Sequence, residues 1–364
     1  YKDTLNVMDI TLNKKTRFYD FANKSLYSFP CYIPQVLGIT LGRIINIPIM
    51  GQIYLGRVFN YLLFVLLGYF SIKYLPVKKE LALFIFLLPI TLQETISLSP
   101  DAMTIGVSSL LVSMILSFRY NKDKMLSKKE LFFLALLAII LSLCKIVYLP
   151  ICFLLFLLPN SCFKSKKHKY IYTIFIILIA TILNLIWLDI SSLYLNAFHH
   201  RSNSSLQLEY IISNPLKYLA TFINTLDVYL INYLVTMVGG QLGPLNINTS
   251  APIVILTLII LFYLIVSNNK KCFLSIKERV FMIIIVLIVV ALVFTSIYMQ
   301  WNSVENKIIE GIQGRYFIPL LLLLAGAFMS NKKNDMKLNN NLVLFIICAN
   351  VMALIAVSTS FMIV

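Results

Sequence analysis

The residues best suited to chemistry lie at a short turn between two apolar runs. Asp101 ends the sequence Ser99-Pro100-Asp101, which joins residues 81–96 to residues 102–118, and Glu94 lies about two helical turns upstream. Ionisable groups at membrane depth are costly and are usually retained for a function. A helix cap is the alternative, because Ser-Pro-Asp is an ordinary helix start. The sequence leaves both interpretations of Asp101 open.

Cations accompany these carboxylates at other apolar runs. Lys145 lies near the middle of the run 131–159, and Arg315 directly precedes an apolar run. Such cations suit a phosphate or pyrophosphate, and a carboxylate beside them suits a general base acting on a hydroxyl. This combination fits an amphiphilic, phosphate-bearing substrate, whereas the alternative is that each cation only anchors its helix at the headgroups. Further candidates at the same face are Arg57 and the group His199-His200-Arg201.

Neither metal ligands nor paired cysteines stand out in the sequence. The six cysteines are scattered, and apart from the adjacent His199 and His200 the histidines show no ligand spacing. This pattern argues against a zinc site and against a disulfide framework, so we expect no metal and no cofactor.

Composition indicates the broad class. Hydrophobic residues make up 59% of the 364 residues and charged residues 13%, which is about half the charged share of an average soluble domain. Several uncharged stretches are as long as a membrane crossing requires. The sequence therefore predicts one all-α polytopic integral membrane domain over residues 1–364.

Positive charge predicts orientation rather than nucleic-acid binding. The formal net charge is +16, yet more than half of the 31 lysines and arginines fall in five short loops. Cytoplasmic loops are enriched in lysine and arginine, and the same charge favours anionic lipid at that face. We therefore expect these loops inside, with membrane lipid and not nucleic acid as a partner. The loops are residues 73–80, 119–130, 164–169, 270–279 and 332–337.

Alternation between the two faces predicts about ten transmembrane helices here and eleven or more in the full-length protein. Residues 1–49 form an outer-face head that ends in an amphipathic helix, and a polar head of this length is hard to translocate without a preceding helix. Residues 190–250 form a second outer-face section, in which residues 216–238 are surface-lying or re-entrant helices, or a short hairpin. The expected crossings are residues 52–74, 81–96, 102–118, two short helices within 131–159, and 170–189, 251–266, 280–300, 316–329 and 341–363.

The run 131–159 is expected to turn near Lys145, because one continuous helix would place the loop 164–169 outside. Each half would be only about 20 Å long, short of the ~30 Å hydrocarbon core. The turn is therefore predicted to lie in a recessed, outward-facing cavity into which Lys145 points. Snorkelling of Lys145 to the outer headgroups is the alternative.

Six short motifs occur along the chain in a distinctive order. They are YIPQVLG at 32–38, GRVFN at 56–60, SLSPD at 97–101, KIVYLP at 145–150, GQLG at 240–243 and QGRYFIP at 313–319. Together they resemble a bacterial family of membrane proteins catalogued as domain of unknown function 2142. The resemblance extends over about residues 32–319, which is most of the chain.

That family in turn resembles the C-type glycosyltransferases, multispan enzymes that take a sugar from a polyprenyl-phosphate donor on the outer face. The resemblance implies a C-type fold, a lipid-linked sugar as donor, and an acidic residue in the first outer loop, often an Asp-Glu pair followed by a histidine. Residues 1–30 contain only the isolated Asp3, Asp9 and Asp20, so such a pair would fall just upstream of Tyr1.

Two classes of function are expected from these observations. The first is an inverting glycosyltransferase of the bacterial cell membrane, which passes a sugar to a cell-envelope glycan or another lipid-linked acceptor. The second is a transporter or flippase of lipid-linked sugars, which inverted repeats would favour, although the sequence shows none; a scaffold ranks third. For the enzyme, Asp101 and Glu94 are the expected catalytic or orienting carboxylates. The expected substrate-binding residues are Arg315, Lys145, Arg57, His199, His200 and Arg201.

Overall fold

The chain folds as an all-α protein, as the sequence predicts. The computed structural model describes residues 10–11, 27–122, 124–192, 203–267, 273–329 and 340–362. The helices in these ranges are α1 (Ile33–Ile44), α2 (Ile49–Tyr74), α3 (Lys79–Phe86), α4 (Pro89–Thr95), α5 (Asp101–Tyr120), α6 (Lys128–Cys144), α7 (Lys166–Ser192), α8 (Ser204–Ser213), α9 (Pro215–Met237), α10 (Ala251–Val266), α11 (Ile276–Trp301), α12 (Leu321–Ala327) and α13 (Asn340–Met362). The other regular elements are the 3₁₀ segments Phe29–Tyr32, Ile146–Leu157, Asn160–Cys162 and Gly314–Leu320, and the antiparallel pair β1 (Gln241–Leu242) and β2 (Ile247–Asn248).

Six of the described helices, α2, α5, α7, α9, α11 and α13, are long and apolar enough to cross a membrane. A multi-pass all-α membrane protein is therefore confirmed, whereas the count of ten crossings stays a prediction. Other expected crossings are shorter or interrupted. The run 81–96, for example, divides into α3 and α4, because Leu88 is extended before Pro89 and proline disfavours the helical region for the preceding residue.

Helix α5 is the centre around which the other helices pack. In its most apolar window 94% of the residues are buried, against 22–28% in the other five long helices. Gly106 allows α2 to approach closely, because a Cβ atom there would lie 2.7 Å from Cδ1 of Leu67. The first residue of this central helix is Asp101.

Four of the five lysine- and arginine-rich loops meet at one end of the bundle, called the basic end below. Arg119, near the end of α5, forms an ion pair of 2.6 Å with Glu278 in the first turn of α11. The N–H of Leu126 donates to the carbonyl of Cys162 at 3.0 Å, which joins the loop after α5 to the loop before α7. The fifth loop, residues 332–337, lies outside the described residues.

Lys78 joins the loop 73–80 to the C-terminal end of α10. Its ammonium donates to the carbonyls of Leu264 at 3.2 Å and Ile265 at 2.6 Å, and also to that of Ser267. The last carbonyls of a helix lack partners within the helix, and a cation there is favoured by the helix dipole. Burial lowers the pKa of Lys78 to about 8, so the ammonium form still predominates at pH 7.

The run 131–159 breaks at Lys145, as predicted. Helix α6 begins at a capping box between Ser127 and Glu130, and Lys145 after its end is extended, with φ −161° and ψ 117°. The second half is the 12-residue 3₁₀ segment Ile146–Leu157 and not an α-helix. A 3₁₀ helix rises about 2.0 Å per residue, so this segment reaches about 24 Å instead of about 18 Å and returns to the basic end.

The stretch 215–237 forms one continuous helix, α9, rather than a re-entrant pair or a hairpin. The ring of Tyr218 stacks on that of Tyr298 with centroids 5.6 Å apart, and Tyr233, near the other end of α9, still lies 6.0 Å from Phe294. Because both ends of α9 contact the C-terminal part of α11, the two helices cross instead of running side by side. That α9 lies at the membrane surface stays a prediction.

Candidate functional site

The turn between α4 and α5 is held by two side-chain amides from neighbouring helices. Asn60 donates to the carbonyls of Thr95 at 3.2 Å and Ser97 at 2.9 Å. Gln35 donates to the carbonyl of Ser99 at 2.9 Å. These bonds fix the backbone between the two acidic residues of the turn.

Asp101 does not act as a side-chain cap. The N-terminus of α5 shows no side-chain cap hydrogen bond, and the N–H of Asp101 itself donates to Oγ of Ser99 at 3.2 Å. The Asp101 carboxylate lies against Arg315 instead, with Oδ2 3.4 Å from Nε. Of the two interpretations that the sequence left open, the helix cap is therefore not supported, and a functional role for Asp101 stays a prediction.

Arg315 binds both acidic residues of the turn. Its Nη1 also pairs with Oε1 of Glu94, and the side chains of Glu94 and Asp101 are only 5% and 12% exposed. One guanidinium therefore joins two carboxylates that lie seven positions apart in the chain. When all three groups are ionised this charged triad carries one excess negative charge, which a nearby cation would offset.

Arg315 is positioned by close packing on both sides of its backbone. A Cβ atom at Gly314 would lie 2.1 Å from the carbonyl oxygen of Tyr233, so only glycine allows this approach to α9. The N–H of Gly314 donates to Oγ1 of Thr236 at 3.1 Å. On the other side, the buried hydroxyl of Tyr148 donates to the carbonyl of Tyr316 at 2.8 Å.

Lys145 supplies the second cation. Its Nζ lies 3.6 Å above the centre of the Tyr316 ring and 5.6 Å from that of Tyr27. A cation over an aromatic face is attracted by the ring quadrupole. Tyr316 follows Arg315 directly, so the same 3₁₀ segment positions both cations.

A cavity of about 330 Å³ opens between these cations and the ends of α7 and α11. Asn184 and Trp187 of α7 form one wall, and Gln300 and Trp301 of α11 form another. Nε1 of Trp187 is buried and has no hydrogen-bond partner among the described residues. The cavity therefore combines cations, aromatic rings and an unused donor. Its other lining residues are Tyr27, Leu143, Lys145, Ile146, Val147, Leu188, Ser296, Ile297, Gly311, Gln313, Arg315 and Tyr316.

A second, smaller cavity of about 180 Å³ lies on the other side of Arg315. Glu94 and Thr236 line it, together with the glycine turn that begins at Gly243. Gln313 and Arg315 line both cavities and so form the partition between them. The turn is held by Gln93, whose Oε1 accepts from the N–H of Gly243 at 2.6 Å.

The structure thus brings together four of the residues expected from sequence: Glu94, Asp101, Lys145 and Arg315. It does not bring in Arg57, which is exposed on α2 with its guanidinium 5.4 Å from the centre of the Tyr54 ring and lines neither cavity. His199, His200 and Arg201 lie outside the described residues. Among the residues that the structure does describe, no three His, Cys, Asp or Glu side chains gather as metal ligands would.

Comparison with known proteins places this cluster in a family. A family described as predicted membrane protein (DUF2142) matches residues 9–324. The chain belongs to this family. The matched range of this DUF2142 protein contains the charged triad, Lys145 and both cavities. No curated protein and no solved structure matches the chain.

Proposed function

We propose that this DUF2142 protein is an inverting glycosyltransferase of the bacterial cell membrane. It would move a sugar from polyprenyl phosphate to a cell-envelope glycan or a lipid-linked acceptor at the outer face. The observation that supports this proposal is the placement of Lys145 and Arg315 in the wall of one cavity, with the carboxylates of Glu94 and Asp101 directly behind Arg315. Cations suit the donor phosphate and a carboxylate suits the acceptor hydroxyl.

Lys145 is the leading ligand for the phosphate. A charge-assisted hydrogen bond is worth about 1.5–3 kcal/mol, and an ammonium is a compact donor for a phosphate oxygen. Arg315 lines the same cavity, but two carboxylates already offset its charge. We therefore propose that Arg315 mainly orients Glu94 and Asp101 and separates the two cavities. Contact with the phosphate is its secondary role.

The proposed reaction uses both cavities. The acceptor enters the smaller cavity, and its hydroxyl meets the sugar at the partition once the side chain of Gln313 moves aside. The hydroxyl attacks the anomeric carbon of the sugar, whose bond to the phosphate oxygen breaks with inversion. The bonding electrons leave with the phosphate, where Lys145 stabilises the developing charge, as preorganised cations do. The hydroxyl proton passes to Glu94, which lines the smaller cavity. Trp187 and Trp301 offer flat apolar faces to the sugar ring.

We further propose that ten segments cross the membrane, with the basic end in the cytoplasm and the charged triad facing outward. Contacts of the described residues support this orientation. Helix α5 runs from Asp101 at the triad to Arg119 at the basic end. The segment that follows Arg315 returns to the basic end, where Nη1 of Arg279 donates to the carbonyl of Met329 at 2.5 Å.

Transfer and transport predict different fates for the donor. In the test, proteoliposomes that contain the full-length protein are supplied with polyprenyl-phosphate hexoses and cell-envelope glycan. Mass spectrometry then identifies the lipid products. We expect release of free polyprenyl phosphate and a strong loss of release in Glu94→Gln, while donor binding is kept. Movement of the intact donor between leaflets without release would contradict the transferase and favour the transporter.

A further inference from the structure

The 3₁₀ segment Ile146–Leu157 carries a narrow apolar stripe on its outer side. Ile146 and Phe153 are 37% and 38% exposed, and Leu149 and Phe156 are partly exposed, whereas the other residues of the segment are buried. At about three residues per turn, a spacing of three places Ile146 in line with Leu149 and Phe153 in line with Phe156. The spacing of four between Leu149 and Phe153 turns the second pair by about a third of a turn, so the stripe winds partly around the segment.

The stripe forms the floor of a groove between α7 and α11. The 3₁₀ segment packs against both helices. At the triad end the two helices stand apart, because Leu188 of α7 and Ile297 of α11 line the larger cavity together. Towards the basic end the ring of Phe156 lies 6.1 Å from that of Tyr170 on α7. The groove therefore extends from the cavity along the length of the segment.

One end of this groove is charged and the rest is apolar. Ile146 lines the larger cavity together with Lys145 and Arg315, so the apolar floor begins where the cations end. At about 2.0 Å per residue the segment follows about 24 Å of the ~30 Å hydrocarbon core. A ligand that matches this layout has an anionic head and one long apolar chain. A phospholipid has two chains, and the stripe offers a track for one.

We propose that the groove over Ile146, Leu149, Phe153 and Phe156 holds the polyprenyl chain of a lipid phosphate whose head lies at Lys145. This inference rests on the proposed function for the head and adds the place of the chain. The 3₁₀ winding has a direct role here, because its greater rise per residue carries the two pairs of apolar side chains from the cavity down to membrane depth.

Photo-crosslinking tests the groove. The photoreactive residue p-benzoylphenylalanine replaces Phe153 in one variant and Phe175 in the matched control. Phe175 is 61% exposed on α7 and lines neither cavity. Each full-length variant is placed in phosphatidylglycerol nanodiscs that contain undecaprenyl phosphate. We expect crosslinks to undecaprenyl phosphate several times more often from position 153 than from position 175, and a return to the control level when Lys145→Met is added. Position 149 serves as the second probe if the variant at 153 does not fold.

Equal yields from positions 153 and 175, or crosslinks from 153 to phosphatidylglycerol alone, would overturn the groove. The assay is separate from that of sugar transfer. Position-specific crosslinking without any sugar transfer would support the groove as the binding site of the lipid chain and contradict the proposed transferase activity. Sugar transfer without position-specific crosslinking would support the transferase activity and contradict the groove.

Discussion

At the scale of single residues, one guanidinium holds two buried carboxylates. Arg315 pairs with Glu94 and Asp101, whose side chains are almost fully buried. Removing one partner of a buried ion pair leaves an uncompensated charge, which is far more costly than the pair itself is stabilising. The triad therefore constrains the fold at the point where the cavities meet.

Arg315→Ala should lower the free energy of unfolding by about 3 kcal/mol, because two buried carboxylates lose their cation. Thermal unfolding of the purified protein in detergent measures this loss. Arg57→Ala is the matched control, since Arg57 is exposed at the same end, and should change stability by no more than about 0.5 kcal/mol. Equal melting temperatures for the two variants would show that the triad contributes nothing to stability.

The charged members of the site could be predicted from sequence, and their neighbours could not. Lys145 and Arg315 stand out because a charge next to a long apolar run is unusual. Tyr316 and Trp187 give no comparable signal, since aromatic residues are frequent throughout this chain, which contains 20 tyrosines. Arg57 gave the same signal as Arg315, yet it lies on an exposed position of α2. The sequence does not show which side of α2 faces the other helices, so it could not separate these two arginines.

At the scale of elements, a glycine sets how closely the 3₁₀ segment Gly314–Leu320 approaches α9. Gly314→Ala should destabilise the protein strongly and displace Arg315, because the new Cβ would lie 2.1 Å from a backbone oxygen that has no freedom to move. Gly68→Ala in α2 is the matched control. Its Cβ would meet only ring carbons of Phe86 at 3.6 Å, and alanine is favoured over glycine in a helix by about 0.5–1 kcal/mol. Melting temperatures of both variants test this, and a tolerated Gly314→Ala would disprove the close approach.

The break at Lys145 followed from the charge pattern, whereas the 3₁₀ winding after it did not. A continuous apolar run has no periodicity that distinguishes one helix type from another. The sequence therefore predicted two halves that were too short for the membrane. The structure reduces this mismatch through the greater rise of the 3₁₀ segment, in which Pro150 also lacks the N–H that an α-helix would use.

At the scale of the whole molecule, the two ends differ in character. The basic end gathers Lys78, Arg119 and Arg279 with their carbonyl and carboxylate partners. The opposite end holds the charged triad and both cavities. The positive-inside tendency predicts this asymmetry from sequence alone.

Cysteine labelling tests the orientation of the two ends. In a full-length background without native cysteines, Lys167→Cys reports on the basic end and Lys307→Cys on the loop before the 3₁₀ segment of Arg315; both lysines are exposed. An impermeant maleimide added to intact cells should label position 307 and not position 167, because we propose that the basic end faces the cytoplasm. Labelling of position 167 from outside would reverse the orientation.

The central claim is that the cavity at Lys145 binds a lipid phosphate, and its most direct test is the affinity for polyprenyl phosphate in nanodiscs. Lys145→Met keeps the apolar stem and removes the charge, and Arg57→Met is the matched control. Loss of a charge-assisted contact worth about 1.5–3 kcal/mol should weaken polyprenyl-phosphate binding about tenfold to more than a hundredfold in Lys145→Met. Binding of the uncharged polyprenol should not change, and Arg57→Met should resemble the wild type. An equal affinity of wild type and Lys145→Met for polyprenyl phosphate would contradict the account.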